Sequence, residues 1–175
     1  MDLRVEKTIK SIFNAFLEMR AKSPLEKISV TELSEKATIN KATFYLHFKD
    51  IYDLSETLEN ELVNSIIDKI TPEEFEREPI MAIDALTEAY ASKKNMISVL
   101  FADTRSHRLA YKVEQGVKTL LFSKNPEWKD HCGINALITY AVFGSYYAFV
   151  NNESFSAAET IRSIGNINRQ LKPLL

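Results

Sequence analysis

Two helix-start signals near the N-terminus lie eleven residues apart and limit the fold more than any other feature of the chain. Ser29 and Glu32 form a capping-box pattern, in which the hydroxyl accepts from the amide three residues on and the carboxylate reaches back. Asn40 is a favourable N-cap for the next helix. We therefore predict short helices over residues 30–37 and 41–48, joined by residues 38–40 as a helix-turn-helix.

Apolar periodicity predicts helices along most of the remaining chain. The first helix ends near Ala21, and a fourth, capped by Asp50, stops at Thr71-Pro72. Further helices are predicted over residues 80–93, 95–104, 107–124, 130–151 and 156–171. Four Gly and five Pro in 175 residues are too few for a turn-rich sandwich or barrel. The predicted fold class is therefore all-α.

Charge divides the chain into a basic head and an acidic body, and we place the domain boundary between residues 50 and 51. Residues 1–50 contain nine Lys and Arg against seven Asp and Glu, a net of +2, and residues 51–175 contain thirteen against seventeen, a net of −4. A mildly basic head is consistent with an anion-binding module. The single cysteine, Cys132, excludes an internal disulfide and a Cys-based zinc site, so we expect no metal or cofactor.

Residues 41–49 carry side chains that suit a recognition helix in the major groove of DNA. Lys41 can donate to guanine or to a phosphate, and Ala42 and Thr43 are small enough to approach a thymine methyl. Phe44 and Phe48, four residues apart, are expected to face the core. The side chains of Tyr45, His47 and Lys49 are expected to donate to phosphates. The helix starts at Asn40 and Asp50 are expected to expose backbone amides nearby. On spacing alone, an ordinary exposed helix face is an equal explanation.

The run from Ile28 to Asp50 resembles the DNA-binding signature of the TetR family of transcriptional regulators, most specifically in Thr-Phe-Tyr-Leu-His-Phe at 43–48. This resemblance implies an all-helical homodimer whose head binds a palindromic DNA operator and whose C-terminal body, residues 51–175, binds an effector. It also implies base or groove contacts by Thr31 and Lys41, and phosphate contacts by Thr43, Tyr45, His47 and Lys49.

Two positions depart from the pattern of that family. Thr38 stands in the turn where the family usually has Gly, and a β-branched residue tolerates positive φ poorly, so the turn is either strained or built differently. Ile51 stands where the family usually has Lys, which removes one phosphate donor. Lys49 or the helix end capped by Asp50 is expected to compensate for it.

From His131 to Asn152 no side chain is charged apart from His131 itself, and this stretch is long enough to cross a bilayer. Polar Asn135, Thr139 and Ser145 within it favour a helix buried between its own core and a partner subunit. We therefore predict a homodimer without membrane insertion. The predicted interface residues are Tyr147, Ile161, Ile164, Ile167 and Leu171.

A ligand pocket is predicted between the fourth helix and the helices that follow. No charged residue clearly converges there, which favours a small apolar or aromatic effector, although a protein co-regulator is an alternative. The candidate lining residues are Tyr90, Met96, Leu100, Phe101, Tyr111, Leu121, Tyr140, Phe143 and Tyr147.

These features predict a cytoplasmic, DNA-binding repressor. The N-terminus has no apolar run of the kind found in a signal peptide. The alternatives are an activator controlled by a protein co-regulator and a helical adaptor that does not bind DNA. An enzyme is not expected, because Gly-rich phosphate loops and hydrolase motifs are absent from the sequence, and residues 103–107 lie too close together to converge as a triad.

Overall fold

A computed structural model describes residues 3–102 and 106–171, and within these residues the chain forms helices and no strand. The all-α fold class is therefore confirmed. Short 3-10 helices cover Leu25–Lys27 and Pro126–Asp130. The α-helices are α1 (Leu3–Arg20), α2 (Val30–Lys36), α3 (Lys41–Tyr45), α4 (Ile51–Ile67), α5 (Pro72–Arg77), α6 (Pro79–Ser92), α7 (Lys94–Leu100), α8 (Ser106–Lys124), α9 (Cys132–Val150) and α10 (Ala157–Leu171).

The chain forms two compact units that divide inside α4. The N-terminal unit contains the residues up to Glu61 together with Ser98–Leu100, and the C-terminal unit contains Leu62–Ile97 and the residues from Phe101 onward. The charge pattern of the sequence predicted this boundary before α4, between residues 50 and 51. The division lies later because the first turns of α4 carry Ile51, Leu54 and Leu58, which are buried and belong to the N-terminal unit.

Helix α5 is an element that the apolar periodicity of the sequence did not predict. Thr71 and Pro72 predict the end of the fourth helix, but that helix ends earlier, at Ile67. The same residues also start a new helix, since the Glu74 amide donates to the Thr71 hydroxyl at 3.2 Å and Pro72 occupies the first helical position. Proline is favoured there because its missing N–H is not needed by the helix.

The C-terminal unit is a bundle in which α6 packs against α9 and α10, and α8 packs against α9. Ile80 and Ile83 from α6 meet Ala141 of α9, with Leu137 packed at the edge of the cluster. A cavity of only about 10 Å³ lies in the nearby core, so these helices are closely packed.

Polar contacts between distant residues tie the bundle together. The Asn168 amide donates to the Asp84 carboxylate at 2.8 Å, which joins α10 to α6. The Glu114 carboxylate of α8 accepts hydrogen bonds from the Thr139 hydroxyl of α9 and from Lys118, whose Nζ is 2.9 Å away. Burial alone would raise the pKa of Glu114, but the hydrogen bonds from Thr139 and Lys118 together with the Lys118 charge lower it below its usual value.

Candidate nucleic-acid interface

Side-chain caps fix the starts of α2 and α3, as the sequence predicted. The Glu32 amide donates to the Ser29 hydroxyl at 3.2 Å, and the Ser29 amide donates to the Glu32 carboxylate at 3.3 Å. The Asn40 side-chain oxygen accepts from the Thr43 amide at 2.7 Å and from the Thr43 hydroxyl at 2.9 Å. The capping box and the Asn40 cap are both confirmed. Because Asn40 and Thr43 bond each other, part of their hydrogen-bonding capacity serves the fold.

The turn between α2 and α3 places Thr38 in the left-handed region, with a φ of 59°. The Ile39 amide donates to the Ser34 carbonyl at 3.0 Å, and the Thr38 amide donates to the Glu35 carbonyl at 3.1 Å. This pair of bonds is the Schellman arrangement that glycine usually completes. The expected strain at Thr38 is therefore confirmed, since its β-branched side chain occupies a conformation that glycine adopts without steric cost.

Aromatic packing holds α3 in place. Phe44 is completely buried and Phe48 is almost so, which confirms the inward orientation predicted for both. The Phe48 ring lies 5.7 Å from that of Phe44 and 6.0 Å from that of Phe13 on α1, measured between centroids. The Ser11 hydroxyl also donates to the Ala37 carbonyl at 2.8 Å, which joins α1 to the end of α2. The helix-turn-helix is thus fixed against α1 from behind.

The opposite face of α3 is open to solvent. Lys41 and Ala42 are exposed at the helix start, and Tyr45 is 57% exposed one turn further along. Lys41 makes no ion pair with any residue that the structure describes. The other predicted DNA-contacting residues divide into the exposed Thr31, Asn40 and Lys49 and the half-buried Thr43 and His47. All eight residues therefore belong to the N-terminal unit, and none of them is fully buried.

The start of α4 differs from the expectation of a free, phosphate-binding helix end. The Asp53 amide donates to the Asp50 carboxylate at 2.8 Å, which confirms Asp50 as the cap. The Lys49 amide in turn donates to the Asp53 carboxylate at 2.8 Å. These two amides are already bonded and both carboxylates are negative, so this end offers fewer phosphate donors than a free helix start. Compensation for the missing lysine by Lys49 or by this helix end stays a prediction. Ile51 itself is buried, which makes it a core residue here.

Two exposed apolar side chains beside this face were not singled out from the sequence. Leu46 is 80% exposed directly after α3, and Tyr52 is 54% exposed in the first turn of α4. The helical prediction over 41–48 hid Leu46, because α3 ends at Tyr45 and the chain continues in a turn. The place of Leu46 between Tyr45 and His47, two residues predicted to face DNA, was the one feature of the sequence that pointed to its exposure.

Much of the positive charge around α3 is unneutralised. Lys36 pairs with Glu18 at 2.7 Å across α2 and α1, and this hydrogen bond, together with the Lys36 charge, lowers the pKa of Glu18. The side-chain ammonium of Lys49, like that of Lys41, forms no ion pair with a carboxylate among the described residues. The arrangement leaves lysines at both ends of the α3 face available to an anionic partner.

The structure does not gather the nine predicted pocket residues around one described cavity. Tyr140 lines an open surface groove, and none of the other eight residues lines it. The nine residues also differ in exposure. Four are buried (Tyr90, Leu100, Phe101 and Leu121), three are half-buried (Met96, Phe143 and Tyr147), and two are exposed (Tyr111 and Tyr140).

The predicted dimer residues also occupy different environments. Ile164 is 6% exposed on α10, which packs against α6 and α9 of its own chain, whereas Ile167 is 54% exposed. Tyr147 and Ile161 are half-buried, and the side chain of Leu171 lies outside the described residues. The Asp103–Arg105 segment, part of the polar cluster considered for catalysis, also lies outside them.

Helix α9 is the one described helix with the length and composition needed to cross a membrane. It is also a core helix of the C-terminal bundle. Ile138, Val142 and Tyr146 are almost completely buried along one side. A core helix passes the same test of length and hydropathy, so this property alone is weak evidence for membrane insertion.

Comparison with known proteins shows a similarity in fold. No protein-family model matches the chain, and no curated protein sequence is significantly similar to it. Among solved structures, the fatty acid degradation regulator FadR from Bacillus halodurans matches with a TM-score of 0.57. The match covers 92% of this chain and 94% of the other, at 14% sequence identity. The chain therefore shares an all-α architecture with a protein described as a regulator.

Proposed function

We propose that this protein is a cytoplasmic, sequence-specific DNA-binding transcriptional regulator of the TetR type, acting as a repressor. The observation that carries the proposal is the solvent-facing side of α3, where Lys41, Ala42 and Tyr45 project from a helix that two phenylalanines fix from behind. The similarity in fold to a transcriptional regulator supports it. We assign no catalytic role, metal or cofactor.

In the proposed complex, α3 enters the major groove with its N-terminal end toward the bases. Lys41 donates to guanine O6 and N7, and Ala42 contacts a thymine methyl. Thr31, at the start of α2, reaches the groove edge, where its hydroxyl bonds a base or the backbone. Phosphate contacts, from Asn40, Thr43, Tyr45, His47 and Lys49, set the register of the helix.

We propose that the active form is a homodimer that binds a palindromic operator. Helix α9 leaves an apolar side outside the bundle, where Ala136, Tyr140 and Gly144 are exposed and Phe143 and Tyr147 are half-buried. A second copy of the chain would remove this surface from water. Two heads related by a two-fold axis would then meet half-sites about 34 Å apart, one turn of DNA.

An effector that releases the operator is expected to be small and apolar or aromatic, because the predicted pocket residues are mostly aromatic or aliphatic. The Tyr90 hydroxyl is completely buried and bonds no described residue, so an effector that also carries one oxygen acceptor would satisfy it. Burial and the neighbouring Tyr146 raise the pKa of this hydroxyl, which keeps it a donor. The solved neighbour regulates fatty acid degradation, and this also supports an apolar effector.

The direct test is selection of bound sequences from a random DNA pool, followed by affinity measurements on the selected site across a salt series. We expect an inverted repeat and an affinity that falls steeply as salt rises, because phosphate contacts release counterions. Lys41→Ala and Tyr45→Ala should each weaken binding by about 1–3 kcal/mol, roughly 5- to 150-fold. Lys69→Ala, which removes an exposed lysine from the C-terminal unit, is the matched control.

Two results would reject parts of this proposal. If both α3 variants bind the selected DNA site as tightly as the parent protein, this side of α3 is not the recognition face. No enriched sequence at all would favour a helical adaptor, and enrichment that depends on an added protein would favour an activator with a co-regulator. Light scattering tests the dimer separately, and Tyr147→Glu should yield monomers because it would bury an unpaired charge. A Tyr147→Glu protein that stays dimeric would place the interface elsewhere.

A further inference from the structure

A second candidate binding site lies in the C-terminal unit, away from the predicted effector residues. It is a surface cavity of about 310 Å³ where α5, the 3-10 helix Pro126–Asp130 and the first turns of α9 meet. Its volume is at the lower end of the range of about 300–1,000 Å³ that is usual for small-molecule sites. None of its lining residues is among the nine predicted to bind the effector.

The apolar walls of this cavity are partly aromatic and partly aliphatic. The Phe75 and Trp128 rings lie 5.9 Å apart and are tilted by 54°, and Ile134 and Leu137 contribute aliphatic surface. Phe75 is buried, whereas Trp128 is half-buried, so part of the indole remains available to a ligand. The Asn135 amide donates to the Trp128 carbonyl at 3.1 Å and to the Lys129 carbonyl at 3.0 Å, which holds the backbone that carries the indole.

The polar edge of the cavity is also held in place. His131 caps α9 by accepting the Ile134 amide on Nδ1 at 3.2 Å, so in the neutral ring the proton is on Nε2. A Cβ added at Gly133 would lie 3.3 Å from Cε1 of His131, closer than ordinary contact. The glycine therefore leaves the space that the imidazole occupies. Since the Ile134 amide is already used, this helix start has one fewer donor for an anion.

Negative charge dominates around the cavity. Residues 71–79 and 124–131 together contain six acidic and three basic side chains, a net of −3. Glu73 pairs with Lys124 at 3.7 Å, and Glu74 accepts from the Thr71 hydroxyl at 3.0 Å. Glu76 lines the cavity and makes no ion pair with any residue that the structure describes. An unneutralised carboxylate beside an indole favours a positively charged ligand.

We propose that this cavity binds a small organic cation, an alkyl or aryl ammonium whose charged group lies between Trp128 and Glu76. Tryptophan is the aromatic side chain that attracts a cation most strongly, through the negative face of its ring. Glu76 adds a direct charge interaction, and the aliphatic walls accommodate the apolar part of the ligand. This proposal goes beyond DNA regulation and does not depend on it.

Trp128 is the only tryptophan in the chain, so its fluorescence reports occupancy of the cavity directly. The full-length protein is titrated with benzyltrimethylammonium as the cationic probe and with 3-phenylpropionate as an anion of similar size. We expect a saturable fluorescence change with the cation and none with the anion. Glu76→Gln should weaken cation binding about three- to fivefold, as expected for one partly exposed charge contact.

The matched control is Glu127→Gln, which removes a charge next to Trp128 from a residue that does not line the cavity. Its effect should be less than twofold. Trp128→Leu, followed by calorimetry because the fluorophore is lost, should weaken binding about tenfold. A cation titration that does not saturate, an anion that binds as tightly, or a Glu76→Gln affinity equal to that of the parent would overturn the proposal. Since no DNA is present, failure of operator binding leaves these results unaffected.

Discussion

Polar contacts of short range fix the helix starts of the N-terminal unit, whereas the polar contact of longest range lies within the C-terminal unit. In the helix-turn-helix and at the start of α4, the capping pairs Ser29–Glu32, Asn40–Thr43 and Asp50–Asp53 each join residues three apart. In the bundle, the Asn168–Asp84 bond joins residues 84 positions apart, and the Thr139–Glu114 bond joins residues 25 apart. Local contacts are visible in a sequence, whereas long-range contacts exist only once helices have packed.

The two units also differ in what their apolar residues do. In the N-terminal unit, Phe44 and Phe48 face inward, so that the polar side of α3 faces outward. In α9, apolar residues surround nearly the whole helix, and only one side is buried within the chain. The outward face of α3 can therefore be identified from the spacing of its apolar residues, whereas the outward face of α9 cannot.

The largest expected effect comes from the core of the head. Phe44→Ala should lower the stability of the N-terminal unit by about 3–5 kcal/mol, because it empties a completely buried aromatic position. In chemical denaturation, circular dichroism should show early loss of helix, while the fluorescence transition of Trp128 in the C-terminal unit stays in place. Tyr45→Ala, at an exposed position, should leave both transitions unchanged. If Trp128 responds as strongly as the helix signal, the two units unfold as one.

A smaller effect is expected from loss of the long-range hydrogen bond between Thr139 and Glu114 in the bundle. Thr139→Val should cost about 1–2 kcal/mol at neutral pH, because the buried Glu114 carboxylate loses a hydrogen bond. The control is Thr119→Val, whose exposed hydroxyl donates only within α8. Urea denaturation at about pH 7 and about pH 3.5 measures both changes.

The pH dependence of this tie follows from the lowered pKa of Glu114 in the folded protein. Its stabilising contribution is present above the ordinary value of 4.5 and is lost as pH falls through the lower, folded-state pKa. The difference between Thr139→Val and the parent protein should therefore shrink in acid. A difference that stays constant between the two pH values would mean that Thr139 does not act through the Glu114 charge.

The smallest expected effect lies in the turn of the head, and it is a gain. Thr38→Gly should stabilise the N-terminal unit by about 0.5–1 kcal/mol, because relief of left-handed strain exceeds the added flexibility of the unfolded chain. Thr38→Ala keeps a Cβ and should gain less, which makes it the matched comparison. Equal stability of the Gly and Ala variants would show that the Cβ at this φ has no measurable cost.

Much of the local structure of the N-terminal unit was predictable from the sequence. The cap pairs, the strained Thr38 and the inward Phe44 all follow from interactions within one or two helical turns. One contact that was not predicted lies at the start of α4, where the Asp53 carboxylate accepts from the Lys49 amide. The eight DNA-contacting assignments remain predictions, since exposure alone does not establish contact with DNA.

The bundle was less predictable, because apolar periodicity identifies helices but not their neighbours. Ile164 and Ile167 lie three residues apart on α10, and both were assigned to the dimer interface, yet only Ile167 is exposed. Tyr111 and Tyr140 were assigned to a pocket, and both face solvent. Helix α5 was not predicted, because Thr71-Pro72 was assigned only to the end of the fourth helix. Without α5, the cavity beside Trp128 was not predicted either.

The sequence by itself determined the all-α class, the starts of α2, α3 and α4, the helix-turn-helix and the side of α3 that faces outward. Each depends mainly on hydrogen bonds and spacings within a few residues. Tertiary structure alone decided that Ile51 is a core residue, that Asn168 bonds Asp84, and that Phe75 meets Trp128 in a cavity that Glu76 also lines. These features depend on which helices pack together, and that choice is made by the summed burial of many side chains rather than by any local motif.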